Sequence, residues 1–148
     1  MAYPNALSAY RETRIRTASQ GQLIVMLYDE AVKQLDLSLE VLDQESKGKK
    51  DHSRIEKFNA AVVKAQEIVT ELMASLDFDQ GGEIARNLFS LYNWFNRELL
   101  QANIARDADR VKSVRSMIDE LRAAWHEVVA KTSAEAAGRP SGGVNIAG

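Results

Sequence analysis

Cysteine is absent from the chain. That excludes disulfides, thiolate catalysis and cysteine-ligated metals. Histidine occurs only at His52 and His126. A carboxylate-bridged di-metal bundle needs Glu-x-x-His on each of two helices, yet Lys49 and Ala123 stand three residues before the two histidines. Proline is confined to Pro4 and Pro140, so nothing between them breaks a helix by removing an amide donor. Basic charge is not in excess: 19 Lys and Arg face 21 Asp and Glu, whereas a general nucleic-acid binder needs a basic surface. No apolar run approaches the roughly 20 residues of a membrane span. Met1-Ala-Tyr-Pro-Asn lacks the basic-then-apolar form of a signal peptide. No P-loop, dinucleotide fingerprint or nucleophile elbow occurs. The expectation is a cytoplasmic protein with no catalytic residues, no metal, no cofactor, no nucleic-acid partner and no membrane insertion.

What is present is helical periodicity. The 148 residues, 45% hydrophobic and 27% charged, are ordinary for one soluble domain. Strand-like alternation is missing. A first helix runs from the capping-box string Ser19-Gln20-Gly21-Gln22 to about Gln44. Its apolar positions include Leu23, Ile24, Met26, Leu27, Tyr28, Ala31 and Leu35, with Val25, Val32 and Leu37 spreading beyond the central face. Ser46 to His52 is a charged loop. Ser53-Arg54-Ile55-Glu56 has capping-box spacing and opens a second helix to about Leu76, with one compact apolar stripe. Gly81-Gly82 makes a sharp turn into a third helix that starts around Glu83 and ends near Ile104. Asp107 caps a fourth helix, which ends near Lys131. Short connections force neighbours antiparallel, so the fold class is all-α, an up-down four-helix bundle.

The third stretch carries the main functional clue. At about 100° per residue, Ile84, Leu88, Leu91, Tyr92, Phe95, Leu99 and Ala102 share one face. Phe89 and Leu100 lie beyond its edge, and Trp94 on the far side. The apolar arc covers about half the circumference, where a helix that only roofs a core needs about 100°. The first helix is likewise greasier than one-sided packing requires. Surplus apolar surface on these two helices implies a second partner, whether another part of this chain, another copy or another protein, held by helix-in-groove or extended-segment capture. His126 and the Glu67–Glu71 pair fall on polar faces and read as solvated.

The ends differ from the middle. Residues 1–18 hold too little apolar surface for an independent helix, so they read as an N-terminal arm or short helix that docks by a few side chains. Residues 19–131 form the bundle. Residues 132–148 turn to Thr, Ser, Ala, Gly and Pro, a composition that reads as a flexible, disordered C-terminal tail.

Several strings then occur in a specific order. Tyr10, Thr17-Ala18-Ser19, Leu23 and Met26-Leu27-Tyr28 come first. Gly81-Gly82-Glu83-Ile84-Ala85, Asn87-Leu88 and Leu91-Tyr92 follow, then Leu99, Ala102-Asn103, Leu121 and Ala124-Trp125. Over about residues 5 to 130 the chain resembles the FliS family of flagellar export chaperones. It departs in having Gln20 where that family usually has Pro after the Thr-Ala-Ser string. The resemblance implies an antiparallel helical bundle that is not an enzyme. It implies binding of the C-terminal segment of flagellin in the cytoplasm, prevention of premature polymerisation, and delivery to the flagellar type III export apparatus. Components of that apparatus are further expected partners. It also implies that Tyr10 matches an arm tyrosine able to lie in the client groove. Helical geometry places the groove beside Ile24, Met26, Leu27, Phe89 and Leu100, with Leu7, Tyr10 and Ile15 competing for it. A competing reading is a structural bundle that homodimerises through its surplus faces; the chaperone is expected as a monomer or weak dimer.

Overall fold

The computed structural model describes residues 20–48 and 51–137. Leu7, Tyr10, Ile15, the Ser19 cap and residues 138–148 lie outside the described residues. Four helices follow one another: α1 (Gln20–Ser46), α2 (His52–Ala74), α3 (Phe78–Ala105) and α4 (Ala108–Ala137). No strand occurs among the described residues. Each helix packs on its neighbours in sequence, α4 closes the ring on α1, and the backbones of the diagonal pairs make no close approach. This is the expected up-down-up-down bundle.

The helix ends follow local chemistry, and three differ from expectation. At α2 the cap is Asp51, not Ser53. The Asp51 carboxylate accepts from the Arg54 amide at 3.0 Å, and the Ser53 hydroxyl donates to the same oxygen at 2.9 Å. A carboxylate is the stronger acceptor for an orphan amide. At α3 the helix begins at Phe78, because Asp77 caps it through the amides of Asp79 and Gln80. The two glycines therefore fall inside the first turns as a kink at Gly82 rather than before the helix. α4 runs past Lys131 to Ala137, since Ala134, Glu135, Ala136 and Ala137 are good helix formers. Residues 132–137 are thus helix, not tail. Asp107 caps α4 as expected, accepting from the amides of Asp109 and Arg110.

The core is one cluster drawn from all four helices. Tyr28 and Leu35 from α1, Phe58 and Ile68 from α2, Phe95 and Leu99 from α3, and Val111 and Ile118 from α4 are fully enclosed. α1 uses its wide apolar arc internally: Val25 and Val32 are buried along with Leu23, Ile24 and Leu27. α4 buries only its first half. Farther along, Leu121 and Trp125 are partly buried and Val128 is exposed.

Polar side chains fix the seams. Arg115 and Arg122 of α4 reach Asp36 and Asp29 of α1 at 2.9 and 3.2 Å. Between α2 and α3 the bonds are amides: Asn103 to Asn59 at 2.7 Å and Asn96 to Thr70 at 3.2 Å. At one end Arg106, in a left-handed conformation (φ 54°), pairs with Glu45 and lies 4.8 Å above the Phe58 ring. Glu45 is only 10% exposed at its side chain, so removing Arg106 strands a carboxylate. Arg106→Ala is expected to cost about 1–3 kcal/mol in urea unfolding. Arg106→Gly should cost about 1 kcal/mol less than Ala, because Gly relieves the left-handed strain.

Candidate functional site

The large apolar side chains left exposed are concentrated on α3. Phe78, Ile84, Phe89, Leu100 and Ile104 all belong to it, whereas α1 leaves only Leu37 and α4 only Val128. α3 owes this to its pattern. Tyr92, Phe95, Leu99 and Ala102 take the inward stripe, and apolar residues on both flanks of that stripe find no helix to cover them. Ile84 is 70% exposed. The expected surplus on α3 is therefore real, while the surplus on α1 is consumed by α2 and α4.

Three depressions border these helices. The first, about 470 Å³ between α1 and α4, is lined by Asp29, Asp36, Glu40, Lys33, Leu37, Val32 and Arg122. Asp29 and Asp36 are already paired with arginines, so this seam is internally satisfied. The second, about 420 Å³ between α2 and α3, mixes Val63 and Leu100 with the amides of Gln66, Asn93 and Asn96. The third, about 300 Å³, is the apolar one. Ile24 of α1, Leu76 just past α2, Gly81, Ile84, Leu88 and Tyr92 of α3, and Trp125 of α4 line it. A concave apolar site with few polar groups is the form that binds another molecule.

The five positions expected to form one groove are not brought together. Ile24 lines the apolar cleft. Leu27 is 1% exposed and belongs to the core, because α1 is gripped on two sides and its arc points inward. Met26 is partly buried and lines none of the three depressions. Leu100 sits in the amide-lined groove, and Phe89 packs edge-on against Phe78 with ring centroids 5.8 Å apart. Reading the sequence missed Ile84, Leu88 and Trp125 as neighbours at one site. The signal was available in the apolar positions of α3 and α4, but the antiparallel register that joins them was not.

The cleft floor is polar chemistry sealed in an apolar setting. The Tyr28 and Tyr92 hydroxyls share a hydrogen bond of 2.5 Å. Burial pushes the Tyr28 phenol far above its ordinary value, the neighbouring Tyr92 adds to this, and an indole hydrogen bond from Trp125 works against it. Burial likewise raises Tyr92. Both stay neutral and act as a fixed strut between α1 and α3 rather than as acids or bases. Among the described residues no cluster of His, Asp or Glu is arranged to hold a metal, and no helix is long and apolar enough to cross a membrane.

The sign of the pH effect follows. Both phenols are raised in the folded chain, so their contribution is intact below about pH 10, the ordinary tyrosine value, and is lost as pH rises above it. Tyrosinate absorbance from Tyr28 and Tyr92 is expected to appear only together with loss of helical circular dichroism. In a Tyr28→Phe/Tyr92→Phe chain that coincident step should disappear.

Comparison with known proteins places this geometry in context. Residues 3–132 match the family model described as flagellar protein FliS. The flagellar secretion chaperone FliS of Salmonella typhimurium is 36% identical over 126 residues, covering 82% of this chain and 85% of its own. That of Escherichia coli is 33% identical over 118 residues, covering 78% and 80%. That of Bacillus subtilis is 28% identical over 129 residues, covering 87% and 90%.

Proposed function

Since the chain belongs to the FliS family of flagellar proteins, we propose that it is a cytoplasmic export chaperone for the C-terminal segment of flagellin. The family is one of secretion chaperones, not enzymes. On this reading the chain covers the flagellin segment, keeps it from polymerising early, and helps deliver it to the type III export apparatus.

One observation carries the reading: exposed apolar side chains on α3 run alongside a cleft that receives residues from α1, α3 and α4. An unfolded client terminus loses conformational entropy when it is held, and wide apolar contact offsets that loss. Ile84, Leu88 and Trp125 supply apolar contact at the cleft, and the Tyr28–Tyr92 strut keeps its floor rigid. The amides of Asn93, Asn96 and Gln66 on the other flank suit a client backbone in extended form. The N-terminal arm, residues 1–18 with Leu7, Tyr10 and Ile15, competes with the client for the cleft.

Mixing the chain with a C-terminal flagellin peptide should give a stoichiometric complex by calorimetry and sedimentation. A homodimer indifferent to the peptide would overturn the reading in favour of a purely structural bundle. Ile84→Glu should weaken binding at least about tenfold, as expected for a central anchor, with unchanged thermal unfolding because Ile84 is mostly exposed. Tyr10→Ala should tighten binding, since removing a competitor raises the fraction of chains able to bind.

A further inference from the structure

The start of α3 is built as a separate piece. The Asp77 carboxylate accepts from the amides of Asp79 and Gln80, and the Gly81 amide donates to the Asp77 carbonyl at 2.7 Å. These bonds close the turn on itself. It joins the rest of α3 through Gly82, whose φ of 50° and ψ of −124° break the helical path. Only glycine adopts that conformation at low cost. Gly81 is needed for a different reason: a Cβ there would lie 2.9 Å from the Ala85 Cβ.

The turn also has two sides. Asp77, Gln80 and Gly81 line the apolar cleft. Phe78 points to the other flank, where it meets Phe89 edge-on at 5.8 Å and 68°. Phe78 is 46% exposed and Phe89 39%, so this pair is the one aromatic tie between the turn and the outer face of α3. The cleft it borders, at about 300 Å³, is at the lower limit even for a small-molecule pocket. A client segment docks several side-chain anchors along its length, more than a cleft of this volume seats.

We propose that the Asp77–Gly82 turn is a latch: it pivots at Gly82, is held shut by the Phe78–Phe89 contact, and widens the apolar cleft for the client when it opens. The turn keeps its own hydrogen bonds as it moves, and the Phe78–Phe89 contact is the aromatic tie that opening breaks. An aromatic pair favours the closed form by about two- to tenfold. The latch thus sets the fraction of chains ready to bind, and apparent affinity scales with that fraction. This regulation rests on the flagellin reading above, yet the latch has a signature in the free chain.

The test titrates a C-terminal flagellin peptide into the full chain and into Phe78→Ala, Phe89→Ala and the double variant. Each single substitution should tighten binding by about two- to tenfold, and the double no further, because one contact is removed in each case. Weaker binding in Phe78→Ala would make Phe78 part of the docking surface, and unchanged binding would leave it without a role; either overturns the latch. Failure of the unaltered chain to bind the peptide would overturn the flagellin reading alone. The latch is then judged by hydrogen exchange and by binding of an environment-sensitive apolar dye to the free chain. Phe78→Ala should speed exchange of the amides of residues 78–84, leave α2 unchanged, and raise dye binding. Identical exchange and dye binding would overturn it.

Discussion

Four helices in a ring share one interior, and α1 takes the largest share of it. Its apolar arc is gripped by α2 on one side and α4 on the other, so Leu23, Val25, Leu27 and Val32 are all buried. α3 lies across the ring and packs on the same two helices through fewer inward residues. A core of this width cannot also enclose Ile84, Phe89, Leu100 and Ile104, which remain outside. Burial releases about 25 cal/mol for each Å² of apolar surface removed from water, so each of these side chains retains a driving force that folding has not used. The uneven division of one interior thus leaves one helix inward-facing and its opposite number adhesive.

The seams show how register is held when the core is shared so unequally. The α1–α4 ion pairs are partly exposed, and such pairs contribute about 0–1 kcal/mol each. They contribute geometry: Arg115 and Arg122 are one face of α4 set against Asp36 and Asp29 of α1, which fixes how the middle of α4 lies as apolar burial thins beyond Ile118. That in turn carries Trp125 to the cleft. The α2–α3 seam uses amides instead, and the Asn96 Oδ1 finds no partner there. Amide contacts hold α3 in place without covering its outer flank.

Much of this was legible in the residues. Helical periods with no internal proline gave four helices, short links gave their antiparallel order, and the half-circumference arc of Ile84 to Ala102 predicted that α3 would stay partly uncovered. The similar surplus on α1 pointed the same way but proved misleading, because a single helix's pattern does not say how many neighbours will grip it. Leu27, which its own helix pattern assigns to the groove, is core for that reason. Helix starts erred by a few residues where two acceptors competed, as Asp51 did with Ser53. The pairing of Arg115 with Asp36 and of Arg122 with Asp29 spans 79 and 93 residues of sequence, so it leaves no trace in local spacing. The joining of Ile24, Ile84 and Trp125 at one cleft is likewise a property of register, not of any one stretch.

The division of labour between α1 and α3 also bears on why an adhesive face can persist in a folded protein. A residue that both builds the core and holds a partner cannot vary for one task without cost to the other. Tyr92 is in that position: it is buried, bonded to Tyr28, and lines the cleft. Ile84 and Leu100 are not, because the folded chain already leaves them in water, and substitutions there change surface rather than packing. The cleft therefore couples a fixed floor, set by the tyrosine strut, to a rim of separable side chains. Rigidity in the floor limits the ordering cost of binding, while the rim can change its apolar anchors with little effect on the bundle. A helix with an inward stripe for folding and free flanks for contact is the least expensive way to place both requirements on one short segment.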